Sequence, residues 1–313
     1  MTRIPRTDID VFPLNMGGNT FGWTSDREMS FAVLDAFVAA GGNFIDTADA
    51  YSAWIDGHTG GESETVLGEW MAARGNRPDV VIATKVGALP TRRGLARENV
   101  ERALDESLKR LQTDYVDLYY NHVDDDAVSI GEQVRTAHDL VVSGRVRHIG
   151  LSNYTPARMR EWFEVAQRDG LTVPVAIQPQ YNLVSRKDYE DGYAPIAREF
   201  EVAVFPYYTL ASGFLTGKYR TARDFEDSAR KDLASGYLTE DGLVVVDALV
   251  TIAQARGVVP ATVALAWLLA KGVTAPIASA SRPDQLPALL AARDLVLTPA
   301  EIAGLDRVSH PFA

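Results

Sequence analysis

The chain has 313 residues, 46% of them hydrophobic and 23% charged, the balance of an ordinary folded globular protein. Its formal net charge of −11 disfavours a nucleic-acid backbone or an anionic membrane surface as partner. The absence of cysteine excludes disulfides, thiolate metal sites and cysteine nucleophiles, and no apolar run approaches the length of a membrane span.

The first residues, 1–8, lack the apolar core of a signal peptide, so a cytoplasmic location is expected. A chain of this size buries roughly three-quarters of its unfolded surface and needs no cross-links. One domain spanning residues 1–313 is expected.

In chain order, strand-like and helix-like patterns alternate. A short strand near residues 14–16 is followed by helical spacing in Phe31, Leu34, Phe37 and Val38, then by a strand over 43–47. Val66, Leu67, Trp70 and Met71 repeat the helical pattern before a strand over 80–86. Val100, Ala103, Leu104, Leu108 and Leu111 do so again before a strand over 115–121. Strands over 147–151, 173–178, 202–207 and 274–279 complete the series, with Met159, Trp162, Phe163 and Ala166 marking a helix opened by Thr155-Pro156. Gly41-Gly42, Gly75, Gly144, Gly170 and Gly257 supply helix stops. The strands are apolar almost throughout, as parallel strands covered on both faces must be.

Spacing of about 30 residues between strands is the length of one βα unit, and eight units close an α/β (β/α)8 TIM barrel. The competing open, doubly wound sheet carries G-x-G-x-x-G after its first strand. Gly17-Gly18-Asn19 does not make that pattern. Residues 219–242, rich in charge and without apolar period, break the rhythm after the seventh strand and are either a solvated loop or a lid.

In a barrel the strand ends build the site, and here they are Asp46, Lys85, His122, Ser152-Asn153, Gln178, Tyr207 and Ser279. A tyrosine ionises near 10 when free, too high for easy proton transfer at neutral pH. A neighbouring ammonium favours the phenolate and a carboxylate keeps that ammonium charged, so Lys85 and Asp46 are expected to tune Tyr51 downward as a general acid. His122 is suited to orient a carbonyl oxygen. Each has a plainer alternative: Asp46 as a loop cap, Tyr51 as packing, Lys85 as a Schiff-base lysine and His122 as a metal ligand beside Asp124, Asp125 and Asp126. No metal site is expected, because His58, His138, His148 and His310 fall in unrelated places. Gly213-Phe-Leu-Thr-Gly-Lys218 looks like a phosphate loop but is one residue short, with Tyr219 where a magnesium-binding hydroxyl belongs. Backbone amides over 210–213 remain suited to a pyrophosphate.

The chain resembles the aldo-keto reductases from about residue 14 to 305. The resemblance rests on Phe44-Ile-Asp-Thr-Ala-Asp-Ala-Tyr51, Thr84-Lys85, Asp117-Leu-Tyr-Tyr-Asn-His122, Ile149-Gly-Leu-Ser-Asn153, Gln178-Pro-Gln-Tyr181 and Leu210-Ala-Ser-Gly-Phe-Leu-Thr-Gly-Lys218. It implies that Tyr51 is the proton donor, with Asp46, Lys85 and His122 completing a tetrad. It further implies that Ser152, Asn153 and Gln178 hold a nicotinamide carboxamide and that Tyr207 stacks on its ring. Gly18, Asn19, Leu210, Ser212, Gly213, Lys218, Ser279 and Arg282 are the remaining cofactor candidates. NADPH is expected over NADH, read by Arg282 and Ser279, although Gln285 stands where many members place arginine and Tyr208-Thr209 replaces the commoner Ser-Pro.

Trp23, Trp54, Val123 and Tyr154 are the expected walls of a pocket for a small-molecule carbonyl substrate. Two other readings stay open. One is a nicotinamide-binding redox sensor or regulatory subunit, as some channel-associated members are; the other is a Schiff-base lyase using Lys85. Nothing in the sequence sets the substrate, the direction of reaction or the oligomeric state.

Overall fold

The structure, a computed structural model, describes residues 1–226 and 231–313. A short antiparallel hairpin of β1 (Thr2–Arg3) and β2 (Asp10–Val11) comes first. Then follow β3 (Asn15–Gly17), β4 (Phe44–Asp46), β5 (Val81–Val86), β6 (Val116–Asn121), β7 (Val146–Ser152), β8 (Ala176–Gln178), β9 (Ala203–Val204) and β10 (Ile277–Ala278). The last eight lie parallel in chain order, and β10 pairs back onto β3. The Thr274 N–H donates to Val204 O at 3.1 Å and the Ile277 N–H to Pro206 O at 3.0 Å, which joins β9 to β10. The ring is a (β/α)8 barrel. The seventh and eighth strands are shorter than the 202–207 and 274–279 expected from sequence. Pro206 and Pro276 lack the N–H that would extend those ladders.

The intervening segments supply α1 (Arg27–Ala39), α2 (Glu62–Arg74), α3 (Arg97–Leu111), α4 (Ile130–Val142), α5 (Pro156–Arg168) and α6 (Ala194–Glu199). After the seventh strand come α7 (Lys231–Ala234), α8 (Glu240–Arg256) and α9 (Pro260–Ala270), and the chain closes with α10 (Leu286–Leu290) and α11 (Pro299–Val308). Local chemistry starts and stops them. Asp26, Ser129, Thr155, Thr239 and Thr298 accept from backbone N–H groups of the first turns of α1, α4, α5, α8 and α11. Gly75, at φ 63°, ends α2 in the left-handed conformation. Among the described residues, no single helix is long and apolar enough to cross a membrane.

Strand parity decides what faces the barrel axis. Phe44, Ala83, Leu118, Tyr120, Ala176, Ala203 and Phe205 belong to the inner core, whereas Ile45, Ile82, Tyr119, Ile149 and Ile177 pack outward against the helices. Two residues beyond an inward position is again inward. Asp46 follows Phe44, Lys85 follows Ala83, His122 follows Tyr120, Gln178 follows Ala176 and Tyr207 follows Phe205, so one parity sends all five polar side chains to the same end of the barrel.

The N-terminal hairpin was not anticipated from sequence. Ile4, Ile9 and Val11 join the inner core, and the Arg6 guanidinium donates to Phe200 O and Pro174 O at 2.6 Å each, just before β9 and β8. It therefore stops the barrel at the end opposite the polar strand ends. Strands of two residues carry no periodicity, so no pattern announces them.

The charged excursion over 219–242 is anchored rather than merely solvated. Phe225 is buried and stacks on Tyr219 at 4.2 Å, Ala234 is buried, and Tyr237 packs on Phe214. Residues 227–230, part of that charged run, lie outside the described residues.

Candidate active site

Asp46 ends β4 with no exposed surface, and its carboxylate accepts three hydrogen bonds. The Lys85 ammonium donates to Oδ2 at 2.5 Å, the Tyr51 hydroxyl to the same oxygen at 2.9 Å, and the Gln178 amide to Oδ1 at 2.8 Å. Lys85, equally buried near the end of β5, spends its other donors on Thr47 O at 2.7 Å and the Tyr51 hydroxyl oxygen at 2.8 Å. All three ammonium protons therefore have acceptors. The structure thus brings Asp46, Tyr51 and Lys85 into direct contact, and the His122 ring lies 6.1 Å from that of Tyr51.

The electrostatics depart from the expectation drawn from sequence in one respect. Tyr51 is not lowered but raised well above 10, first by burial and then by the Asp46 charge and the hydrogen bond it accepts. The phenol is thus held protonated at neutral pH, the form a proton donor must start in. Burial also draws Lys85 below its ordinary value, while Asp46 opposes that fall. His122 is pushed down to about 3 by burial and by the Lys85 charge, so its ring is neutral. Its Nδ1 is enclosed without a hydrogen-bond partner among the described residues.

The aromatic rim is continuous. Tyr51 meets Trp54 at 6.1 Å and Trp54 meets Trp23 edge-on at 5.6 Å, with Trp54 half exposed. Tyr154 does not belong to that rim, contrary to its assignment as a pocket wall. It is 1% exposed and its hydroxyl lies between Asn121 and Gln133, packed under α4. The reason is parity: beyond Ser152 the chain turns outward, Asn153 adopts φ 53°, and Tyr154 lands on the helix side.

The other strand ends form a linked row. The Ser152 hydroxyl donates to Gln178 O at 2.8 Å, the Asn153 amide to His122 O at 2.8 Å, and the Tyr207 hydroxyl to Asn153 Oδ1 at 2.8 Å. Beyond β9, Tyr208, Ala211, Ser212 and Gly213 all take positive φ, between 48° and 96°. Successive left-handed residues curl backbone N–H groups into an anion-binding concavity, and Lys218 lies exposed just beyond it. Across the barrel, Ser279 donates to Asn19 at 2.6 Å, and a Cβ on Gly17 would stand 2.4 Å from the Ser279 hydroxyl. Gly18 is as tightly placed, 2.9 Å from Asp46 O for an added Cβ. Arg282 is exposed, with Asp284 3.2 Å away, and Gln285 accepts from Ser281 N–H at 2.8 Å instead of facing outward. The amide row, the concavity and the two exposed cations fit an extended anionic cofactor with a carboxamide at one end.

Sequence reading overlooked the layer beneath the tetrad. Glu64 of α2 is fully buried, accepting from Thr84 at 2.5 Å and from Arg110 at 2.7 Å. Its signal was present, a carboxylate three residues before Leu67 on the apolar face of α2. The contact between Gln180 and the Tyr237 hydroxyl, at 3.1 Å, had no local signal, since it joins segments 57 residues apart.

The sequence model of the Aldo/keto reductase family matches residues 13–310. The chain belongs to the aldo/keto reductase family. Within that family of oxidoreductases it is 34% identical to norsolorinic acid reductase B of Aspergillus parasiticus over 96% of this chain and 82% of that protein. It is 33% identical to Protein tas of Escherichia coli, over 99% of this chain and 97% of the other. A relative of different name, Probable voltage-gated potassium channel subunit beta of Oryza sativa, is 33% identical over 97% and 94%. This family member therefore resembles both a protein named as a reductase and one named as a channel subunit along nearly its whole length.

Proposed function

We propose that this protein reduces an aldehyde or ketone to an alcohol with NADPH, residues 1–313 acting as one barrel domain. The observation that carries the reading is the Tyr51 hydroxyl, hydrogen-bonded to both Lys85 and Asp46 and facing a neutral His122. A reduced nicotinamide, when bound, supplies a hydride for the carbonyl carbon. Ser152, Asn153 and Gln178 would hold its carboxamide, Tyr207 would cover its ring, and Gly18, Asn19, Leu210, Ser212, Gly213 and Lys218 would take the phosphates. Ser279 and Arg282 would read the group that distinguishes NADPH from NADH.

On the chain's own side, Tyr51 passes its proton to the carbonyl oxygen and Lys85 stabilises the phenolate left behind. Asp46 holds Lys85 in line, and His122, neutral, offers a hydrogen bond to the carbonyl oxygen without competing for the proton. Trp23 and Trp54 would give a flat substrate aromatic walls beside Tyr51. The Schiff-base reading of Lys85 is disfavoured, because its nitrogen has no exposed surface and every donor is engaged. A regulatory role beside the activity is supported only by the channel-subunit relative.

Tyr51→Phe tests the assignment. Turnover of a carbonyl substrate should fall roughly 10²–10⁴-fold, with the dissociation constant for NADPH unchanged by fluorescence titration. Turnover near the wild-type rate in that variant would remove Tyr51 from its role.

A further inference from the structure

Behind the tetrad lies a second carboxyl group, Asp49, that the proposed chemistry does not use. Its side chain is 1% exposed, and neither carboxylate oxygen has a donor among the described residues. Asp49 sits one turn of loop beyond Asp46, and its N–H donates to Lys85 O at 3.3 Å. Groups from every neighbouring element bear on it: Glu64 of α2, Lys85 of β5, Arg92 of the following loop and Arg110 of α3. Its charge in turn bears on Tyr119 of β6, whose buried hydroxyl also lacks a partner among the described residues, as does Arg92 Nη1. Arg92 and Arg110 line a polar opening of about 430 Å³ on the outer side, so the cluster meets solvent within one side chain.

A buried carboxylate with no donors is costly to charge, and Glu64, already paired with Arg110, adds like-charge repulsion. Burial and Glu64 lift Asp49 from 3.8 to about 7. The consequence reaches the tetrad through Lys85, whose ammonium the Asp49 charge favours. With Asp49 neutral, Lys85 and Asp46 balance and the phenolate that develops on Tyr51 feels the full ammonium. With Asp49 ionised, the same buried site carries one more negative charge, and a phenolate there is harder to form.

We propose that Asp49 is a positioning residue of the proton-donor site, a carboxyl group beside Lys85 whose charge, when ionised, offsets the pull of the ammonium on the Tyr51 oxygen and holds the proton back, and which releases that proton when neutral. This rests on the reductase reading of the tetrad. His122, held neutral across the working range, supplies no competing titration near neutrality.

The test is the pH dependence of single-turnover cofactor oxidation with a saturating aldehyde, for wild type and Asp49→Asn, beside the infrared titration of protonated carboxyl in the same proteins. The expected result is a wild-type rate that falls as pH rises through neutrality, in step with loss of a buried carboxyl band. Asp49→Asn should lack both the band and the limb, keeping the low-pH rate. A limb that survives in Asp49→Asn, or a wild-type limb with no carboxyl band titrating alongside it, overturns the proposal while leaving the reductase reading intact. No turnover at any pH in wild type overturns both. Should Asp49→Asn fail to fold, the coincidence of band and limb in wild type still decides.

Discussion

At the scale of single residues, the site is a problem of buried charge. Asp46 and Lys85 are both without exposed surface, yet each has its full set of hydrogen-bond partners. Asp49 has none among the described residues, and that difference has a stability signature. Its ordinary value of 3.8 rises to about 7 in the fold. Between those values the folded protein keeps a proton that the unfolded chain has lost. Stability therefore falls as pH rises from about 4 to about 7 and then levels off. Asp49→Asn should remove that slope and gain on the order of 2–4 kcal/mol over wild type at pH 8, with little difference at pH 4. Urea midpoints at both pH values would show it, and equal changes at both would refute it. Asp46, Lys85 and His122 stood out together in the sequence because each ends an apolar run, whereas Tyr51, in the loop beyond Asp46, was singled out by the motif it closes. The direction of the Tyr51 shift was not legible there, because it depends on which oxygen accepts its proton and how deeply the ring is buried.

At the scale of elements, parity does most of the placing. A strand with one inward residue in two delivers Asp46, Lys85, His122, Gln178 and Tyr207 to the same rim, so locating the strands was enough to collect them. Tyr154 fails by the same logic, because the chain leaves strand geometry at Asn153 and the alternation no longer holds. The hairpin at the far end and the anchoring of the 219–242 segment by Tyr219, Phe225 and Tyr237 arise from contacts distant in sequence. The loop after β10 carries its own prediction. Arg282 is exposed and pairs with Asp284, and Gln285 is turned inward onto Ser281, so under the proposed function Arg282 is the side chain placed to meet a 2′-phosphate. Arg282→Ala should weaken NADPH binding about tenfold, roughly 1.4 kcal/mol, and NADH binding little. Equal weakening of both cofactors would refute the phosphate-reading role.

At the scale of the whole molecule, the barrel separates stability from chemistry. The hairpin, Arg6 and the Arg77–Asp117–Arg147 cluster tie down the end where strands begin, and the polar row occupies the end where they finish. The architecture was legible from strand spacing alone, since eight βα units leave few alternatives. A relative named as a reductase and one named as a channel subunit both match nearly the whole of this chain, so the fold does not choose between catalyst and sensor. Hydride transfer does. The deciding measurement is mass spectrometry of the product formed from an aromatic aldehyde and NADPH carrying deuterium at nicotinamide C4. Alcohol with deuterium on its carbinol carbon, formed by wild type and lost in Tyr51→Phe, is the predicted result. Tight NADPH binding with no labelled alcohol from any carbonyl tried would contradict a reductase and leave a cofactor-binding sensor.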